Sequence, residues 1–461
     1  MRKILAAFLL STALSAAAYA EVDVHSHLIP DAYRAKLAQH NALLDEGFPL
    51  PAYDAAAHIK WMDEAGIETS VLTLAAPQPY FGDSAESAQI IRACNEEAAR
   101  LKREHPGRFK FCAALPLPDV EAAIAEAQYA LDVLHADGIK LATNANGQYL
   151  GDPALDPLFE VLNKRQAVVI LHPHRPEPIN RTVMQQTPLA MQEYLSETTR
   201  AVGNMISRNV LARYPHIRVV VPHCGAYLPL AIPRMKSLAP VMQANKLVGE
   251  IDWSQNLASL YYDLAGAHSP EVIRTLLTIT TPDHLLYGSD YPYASPQALS
   301  KSLNTMRDYL AKESDLAPFR KMILEQNARW LFGDASVKPQ PAAVPQQALV
   351  RIAEIEVHPQ YLEEYLRYAQ EVAEVSLTQE AGVICLFPNQ IADNPTKIRI
   401  LEIYASEAAY QSHLRTEHFQ KYKQGTLKMV KSLHLQEIKP LQPKKMSAVF
   451  KRVSGGSAYH K

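Results

Sequence analysis

The chain reads as an α/β protein: a closed ring of eight parallel strands with helices outside it, followed by a smaller α+β domain. Three observations carry this reading. Between Glu21 and about Ala335, short apolar runs alternate with amphipathic segments, the pattern of parallel β/α units. Several of those runs end in an imidazole or a carboxylate. After a proline-rich stretch the pattern changes to strand, helix, strand, strand, helix, strand. Eight strand-helix units is the number that closes a (β/α)8 TIM barrel. An open doubly wound sheet is the alternative, but no glycine-rich phosphate turn follows the first strand, as that fold's nucleotide sites require.

Taken in order, residues 1–20 carry basic Arg2 and Lys3, an apolar run from Ile4 to Leu14, and small residues ending Ala18-Tyr19-Ala20. This is a secretory signal pattern with a cut after Ala20, which implies a periplasmic or secreted protein. The run is too short to span a bilayer. Barrel strands are expected near 21–27, 68–75, 109–115, 138–142, 167–172, 218–223, 259–265 and 284–289. Helices are expected at Ala55 to Glu64, Ala85 to Glu104, Val120 to His135 and Ser196 to Tyr214, where apolar residues recur at three- and four-residue spacing. The barrel domain is 21–335 and residues 336–347 form a proline-rich spacer. The second domain, 348–440, has strands at Leu349 to Val357, Gly382 to Asn389, Ile398 to Tyr404 and Leu433 to Ile438, with helices at Gln360 to Leu377 and Glu407 to Gln424. That order suits helices on one face of an antiparallel sheet. Residues 441–461 form a polar tail.

Composition narrows the function classes. The 461 residues carry a formal net charge of -2, so nucleic acid and anionic membrane are not expected partners, and a small molecule is. The cysteines Cys94, Cys112, Cys224 and Cys385 show no C-x-x-C spacing, and no disulfide is assigned.

The chemistry concentrates in four strand ends. His25 and His27 close the run Glu21-Val-Asp-Val-His-Ser-His27, and residues i and i+2 of a strand point to one side. Val168-Val-Ile-Leu-His172-Pro-His174, Val219-Val-Val-Pro-His223-Cys-Gly225 and Leu285-Leu-Tyr-Gly-Ser-Asp290-Tyr-Pro292 supply the rest. A satisfied core residue would account for any one histidine, but a group at the ends of parallel strands points to a metal. His25, His27, His172 and Asp290 are the expected ligands of one divalent cation, zinc ahead of manganese. His223, before a Cys-Gly turn, and Asp290 are the expected catalytic acid/base residues. His174 is expected in the pocket wall, because Pro173 interrupts the strand. Lys140, at the end of the fourth strand, offers a second metal position if carboxylated, but reads better as an ordinary strand-end lysine reaching the surface.

In this order, the His-x-His, the fifth-strand His172-Pro, the sixth-strand His223 and Gly288-Ser-Asp-Tyr-Pro292 resemble the amidohydrolase superfamily over about 21–335. The resemblance is to its aminocarboxymuconate-semialdehyde decarboxylase-like branch, which includes aromatic-acid decarboxylases. Glu197-Thr-Thr-Arg-Ala201 and Ala212-Arg-Tyr-Pro215 also look like that family, whereas Cys224 and the Gly225-Ala226 pair depart from its pattern. The resemblance implies one zinc or manganese and an arginine beyond the sixth-strand histidine that holds a carboxylate, for which Arg234 is the position. Tyr293 is expected to line the pocket. The second domain resembles the antibiotic biosynthesis monooxygenase-like family of ferredoxin-like dimers, through Leu349-Val-Arg-Ile-Ala-Glu354, Glu380-Ala-Gly-Val383 and His413-Leu-Arg-Thr-Glu-His-Phe419. A homodimer is therefore expected, with His413 and His418 packing at its interface.

The expected function is metal-dependent, non-oxidative decarboxylation of a small aromatic or unsaturated carboxylic acid. Three alternatives stay open at this point. The same site would serve a hydrolase of a lactone, ester or amide; the second domain alone would be a cofactorless monooxygenase; or the chain would only bind a ligand.

Overall fold

A computed structural model of the chain describes residues 21–333 and 348–439, apart from 46, 181, 183–186 and 381. The leader at 1–20, the spacer at 336–347 and the tail at 441–461 lie outside the described residues. The chain divides into two compact units, one of residues up to 268 with 284–305 and 323–333, the other of 269–283, 306–322 and the described residues from 348 on.

In the first unit eight strands form one parallel sheet in chain order. They are β1 (Glu21–Leu28), β2 (Ile67–Leu74), β3 (Phe109–Ala114), β4 (Gly138–Ala142), β5 (Val168–His172), β6 (Arg218–Val221), β7 (Leu260–Asp263) and β8 (Leu285–Leu286). The continuation of β8 returns to β1: Val24 N donates to Tyr287 O at 3.0 Å, His27 N to Tyr291 O at 2.7 Å, and Asp290 N to His25 O at 2.8 Å. These bonds bring the sheet round on itself, so the expected (β/α)8 TIM barrel forms. Three strands stop two or more residues earlier than expected: β6 at Val221, β7 at Asp263 and β8 at Leu286. β6 ends at Val221 because His223, Cys224, Gly225 and Ala226 all adopt positive φ, and β8 is short because the chain turns left-handed at Asp290 (φ 65).

The helices include α1 (Asp31–Gln39), α2 (Ala55–Ala65), α3 (Ser84–Glu104), α4 (Val120–Asp132), α5 (Asp156–Lys164), α6 (Glu193–Ser207), α7 (Leu228–Ala244), α8 (Pro270–Leu276), α9 (Pro296–Lys312) and α10 (Asn327–Leu331), with shorter ones at Val210–Arg213 and Trp253–Ala258. Aspartates set three starts: Asp54, Asp83 and Asp119 accept backbone N–H bonds in the first turns of α2, α3 and α4, satisfying donors that have no partner within the helix. The single helix expected at 196–214 is broken at Asn209, which sits at φ 53. The interior layer of the barrel contains Val71, Val168, Ile170, Val220, Tyr261 and Leu286, and α10 closes one end with Ala328 and Leu331. All four cysteines are buried and free. Lys140 is also buried, at 2% exposure, which corrects the surface-reaching lysine expected there. In register it lies between Ala114 of β3 and Ile170 of β5.

The second unit carries a four-stranded antiparallel sheet in the order β10-β11-β9-β12, with β9 (Leu349–Val357), β10 (Val383–Ile391), β11 (Asn394–Tyr404) and β12 (Val430–Glu437). Ala353, Ile355 and Val357 alternate inward on β9 and meet Tyr365, Ala369 and Val372 of α11 (Leu362–Gln379). Periods of two and of three to four thus face each other, the arrangement of a sheet covered by helices. The helix expected at 407–424 is two, α12 (Glu407–His413) and α13 (Glu417–Thr426), because Thr416 caps the second by accepting from Phe419 N. No helix among the described residues is long and apolar enough to cross a membrane.

Ile170→Ala removes buried volume from the barrel's interior layer and is expected to cost roughly 2–5 kcal/mol. Urea unfolding followed by circular dichroism should show a lower midpoint at unchanged slope.

Candidate metal centre

Parallel strands closed into a barrel all deliver their C-terminal ends to one rim, and the expected side chains meet there. His25 Nε2 lies 3.2 Å from His27 Nε2, and Asp290 Oδ1 lies 3.1 Å from His27 Nε2 and 3.5 Å from His25 Nε2. The His172 ring is centred 4.8 Å from that of His27, and the His223 ring 5.0 Å from that of His25. One donor atom each from His25, His27 and Asp290, and likewise from His25, His172 and His223, fall within 4.8 Å of one another. The expected ligand set and the expected catalytic histidine are therefore gathered in one place.

The surroundings fix which nitrogen each imidazole presents. His25 Nδ1 donates to Asp263 Oδ2 at 2.9 Å. Thr73 Oγ1 gives its proton to Ser26 O at 3.1 Å and so accepts from His27 Nδ1 at 3.1 Å. His172 Nδ1 donates to Pro173 O at 2.9 Å. Each ring keeps Nε2 for the centre, as outer hydrogen bonds do around bound metals. Asp263 reaches further: its Oδ1 accepts from the backbone N–H of His223 at 3.0 Å and of Ala265 at 3.1 Å. The left-handed turn His223–Ala226, a costly conformation away from glycine, is thereby pinned. Asp23 Oδ1 accepts from His25 N and Ser289 N, and its Oδ2 from Ser289 Oγ, which joins β1 to the loop that carries Asp290. No side chain fits at Gly288, where a Cβ would lie 2.7 Å from His25 Cβ.

Electrostatics suit a cation. Burial pushes His27 down to about 4, and it pushes His172 well below the usual imidazole range, with the neighbouring histidines and Lys140 adding to that shift. Burial and then His25 also lower His223. These rings are neutral at neutral pH, the form that ligates. Burial acts against the charged form of His25 too, but the charge and hydrogen bond of Asp263 outweigh it and hold His25 at about 9. Burial raises Asp290, yet the bond from His27 and the charge of His25 bring it down to about 2. Three imidazole nitrogens and one carboxylate oxygen, mostly buried and oriented from behind, fit a first-row divalent cation with a position left for substrate.

The centre forms one wall of a cavity of about 440 Å3, whose other walls include Phe48, Met191, Tyr194, Leu195, Tyr293 and Leu299. Tyr293 takes its expected place, its ring edge-on to His27 at 5.3 Å. Two expectations are corrected. Arg234 is exposed on α7 and outside the cavity wall, because the buried residues of that helix include Leu228, Ile232 and Ala239 and position 234 turns about 200° from Ile232. His174 is not in the wall either. Its backbone N–H donates to Thr143 Oγ1 at 3.0 Å and burial drives its imidazole down to about 3. Sequence reasoning missed Asp263, Thr73 and the aromatic Phe48 and Tyr194. Asp263 ends a strand in the same way as Asp290 and was open to the same argument. The others had no local signal.

Residues 22–333 match the family described as amidohydrolase, and residues 348–425 the family described as antibiotic biosynthesis monooxygenase. Decarboxylase yanB of Aspergillus niger is 33% identical over 324 residues, covering 68% of this chain and 87% of its own length. The 6-methylsalicylic acid decarboxylase of Penicillium expansum is 30% identical over 294 residues, covering 63% of this chain and 90% of its own length. Among solved structures, 5-carboxyvanillate decarboxylase from Novosphingobium aromaticivorans with bound manganese superposes with a TM-score of 0.61 at 19% identity, over 68% of this chain and 97% of that one. At that identity the likeness concerns the fold alone.

A cation entering this site must displace the proton that His25 holds below about pH 9. Affinity for zinc or manganese should therefore rise about tenfold per pH unit between pH 6 and 8, with one proton released per cation. Calorimetry in buffers of differing ionisation enthalpy reads both quantities. Asp263→Asn should flatten that dependence and weaken binding at pH 8 by roughly 10–100-fold.

Proposed function

Because this chain belongs to the amidohydrolase family through residues 22–333, we infer that it is a metal-dependent, non-oxidative decarboxylase of a small aromatic carboxylic acid. The observation that carries the reading is the centre itself: strand-end histidines and Asp290 open onto a cavity of about 440 Å3 with aromatic walls. No lysine or arginine is among its described lining residues. A carboxylate bound there would find its positive partner at the centre.

When bound, a divalent cation would supply the positive charge that a substrate carboxylate and a neighbouring oxygen need, and would spread the negative charge that develops as carbon dioxide leaves. His25, His27, His172 and Asp290 would hold it, zinc first and manganese second, the order suited to three imidazoles and one carboxylate. Phe48, Tyr194 and Tyr293 would flank the substrate ring and keep water away from it. As the carbon–carbon bond breaks, its electron pair stays on the ring carbon, which must then take a proton. His223 and Asp290 line the cavity at the centre and would be the groups to supply it. Asp290, held at about 2, arrives as a carboxylate and must first collect a proton, which a substrate hydroxyl can lend. His223, whose backbone N–H is held by Asp263, is also neutral, so it too must first take up a proton, which it then passes on as an imidazolium. Hydroxybenzoic acids like the substrate named for the Penicillium relative suit such a pocket.

We further propose export and dimerisation. The leader pattern at 1–20 precedes a first strand that begins at Glu21, which supports a periplasmic or secreted protein cut after Ala20. In the second unit β12 is an edge strand carrying Leu433 and Leu435, 56% and 44% exposed. Apolar side chains on an open edge favour pairing with a second copy.

Purified protein supplied with 6-methylsalicylic or dihydroxybenzoic acids under argon should release carbon dioxide. Chelation should abolish this and zinc or manganese restore it. His223→Gln should retain the cation and lower kcat by about 10²–10⁴-fold. Acid production from lactones without carbon dioxide would contradict the reading. Leu433→Lys combined with Leu435→Lys should shift the mass in light scattering from dimer to monomer while far-ultraviolet circular dichroism stays unchanged.

A further inference from the structure

The second unit contains a cluster that the decarboxylase reading does not use. Glu380 caps the C-terminal end of α11, His413 is the last residue of α12, and His418 lies in the first turn of α13. His413 Nδ1 lies 2.8 Å and His418 Nε2 2.6 Å from the same oxygen, Glu380 Oε1. One donor atom from each residue falls within 4.8 Å of the others. The His413, Glu380 and His418 side chains are 1%, 10% and 17% exposed. Among the described residues the ion-pair partners of Glu380 are these two histidines, with no lysine or arginine. A carboxylate so far out of water needs either a positive charge or firm hydrogen bonds.

We propose that Glu380, His413 and His418 form a second divalent-cation site, separate from the barrel centre. Two imidazoles and one carboxylate are a donor set for zinc and for other first-row divalent ions, and three protein ligands leave a position open. Donors on one such ion stand roughly 3.0–3.4 Å apart, so each histidine nitrogen needs to part from Glu380 Oε1 by less than an ångström to admit it. The ion joins the ends of three helices. Two of them, α12 and α13, contribute His413, Phe419 and Tyr422 to the wall of an apolar cavity of about 300 Å3 that also holds Glu402 and Tyr404. Binding there would set the shape of that cavity. The rival account, in which both imidazoles only donate hydrogen bonds to Glu380, needs no ion.

The test counts metal in the full chain, stripped with chelator and dialysed against a slight excess of zinc. Two zinc ions per chain are expected, falling to one in Glu380→Gln, to one in His418→Gln and to one in His172→Ala, and to none when Glu380→Gln and His172→Ala are combined. Cobalt in the His172→Ala background should give visible absorption that disappears with Glu380→Gln. The partly exposed His418→Gln serves if Glu380→Gln does not fold, as judged by circular dichroism. One zinc per chain that persists in Glu380→Gln and His418→Gln and is lost in His172→Ala overturns the proposal.

Discussion

One buried carboxylate holds the barrel centre in working order. Asp263 gives one oxygen to His25 and the other to the backbone of His223 and Ala265, so a metal-binding ring and the turn that bears the candidate proton donor are fixed by a single group. Neither arrangement is favourable alone. Four consecutive residues at positive φ, from His223 to Ala226, cost backbone energy, and a fully buried carboxylate loses its hydration. Each offsets the other: the turn directs the His223 N–H at the carboxylate and the Cys224 N–H at the Asp263 carbonyl, and Asp263 satisfies both. The charge of Asp263 also keeps His25 protonated where His27 and His172 are neutral. The His25 charge offsets one of the two carboxylates it faces, Asp263 and Asp290, and leaves the centre favourable to a cation.

The cavity beyond the centre divides its labour by polarity. Its imidazoles and carboxylate, His172, His223 and Asp290, lie at the barrel end, while Phe48, Met191, Tyr194, Leu195 and Leu299 are among its other walls. A flat apolar acid entering such a space has one orientation that puts its carboxylate next to the histidines. Leu195 and Tyr194 belong to α6, and Met191 stands 72% exposed just before it.

Much of this was legible in the sequence, for a physical reason. Apolar runs that end in histidine or aspartate mark strand ends, and strand ends in a closed barrel share one rim, so His25, His27, His172, His223 and Asp290 could be grouped without coordinates. The strand positions followed from the same periodicity. Errors arose where spacing along the chain does not determine direction. Arg234 was placed by its distance from His223, but a helix turns 100° per residue and carries it to solvent. His174 shares the His172 run, yet the chain leaves strand geometry at Pro173. The break at Asn209 and the early end of β6 depend on left-handed residues, one at Asn209 and four from His223 to Ala226, which a hydrophobic pattern does not record. Phe48 and Tyr194 reach the cavity through tertiary packing alone.

The most direct test of the account is a crystal of the protein soaked with manganese and examined by anomalous scattering. The account predicts one peak at the C-terminal rim of the barrel, within bonding distance of Nε2 of His25, His27 and His172 and of a carboxylate oxygen of Asp290, with Asp263 behind His25. A rim without a peak at full manganese occupancy elsewhere, or a peak that leaves His172 or Asp290 unbound, would contradict it.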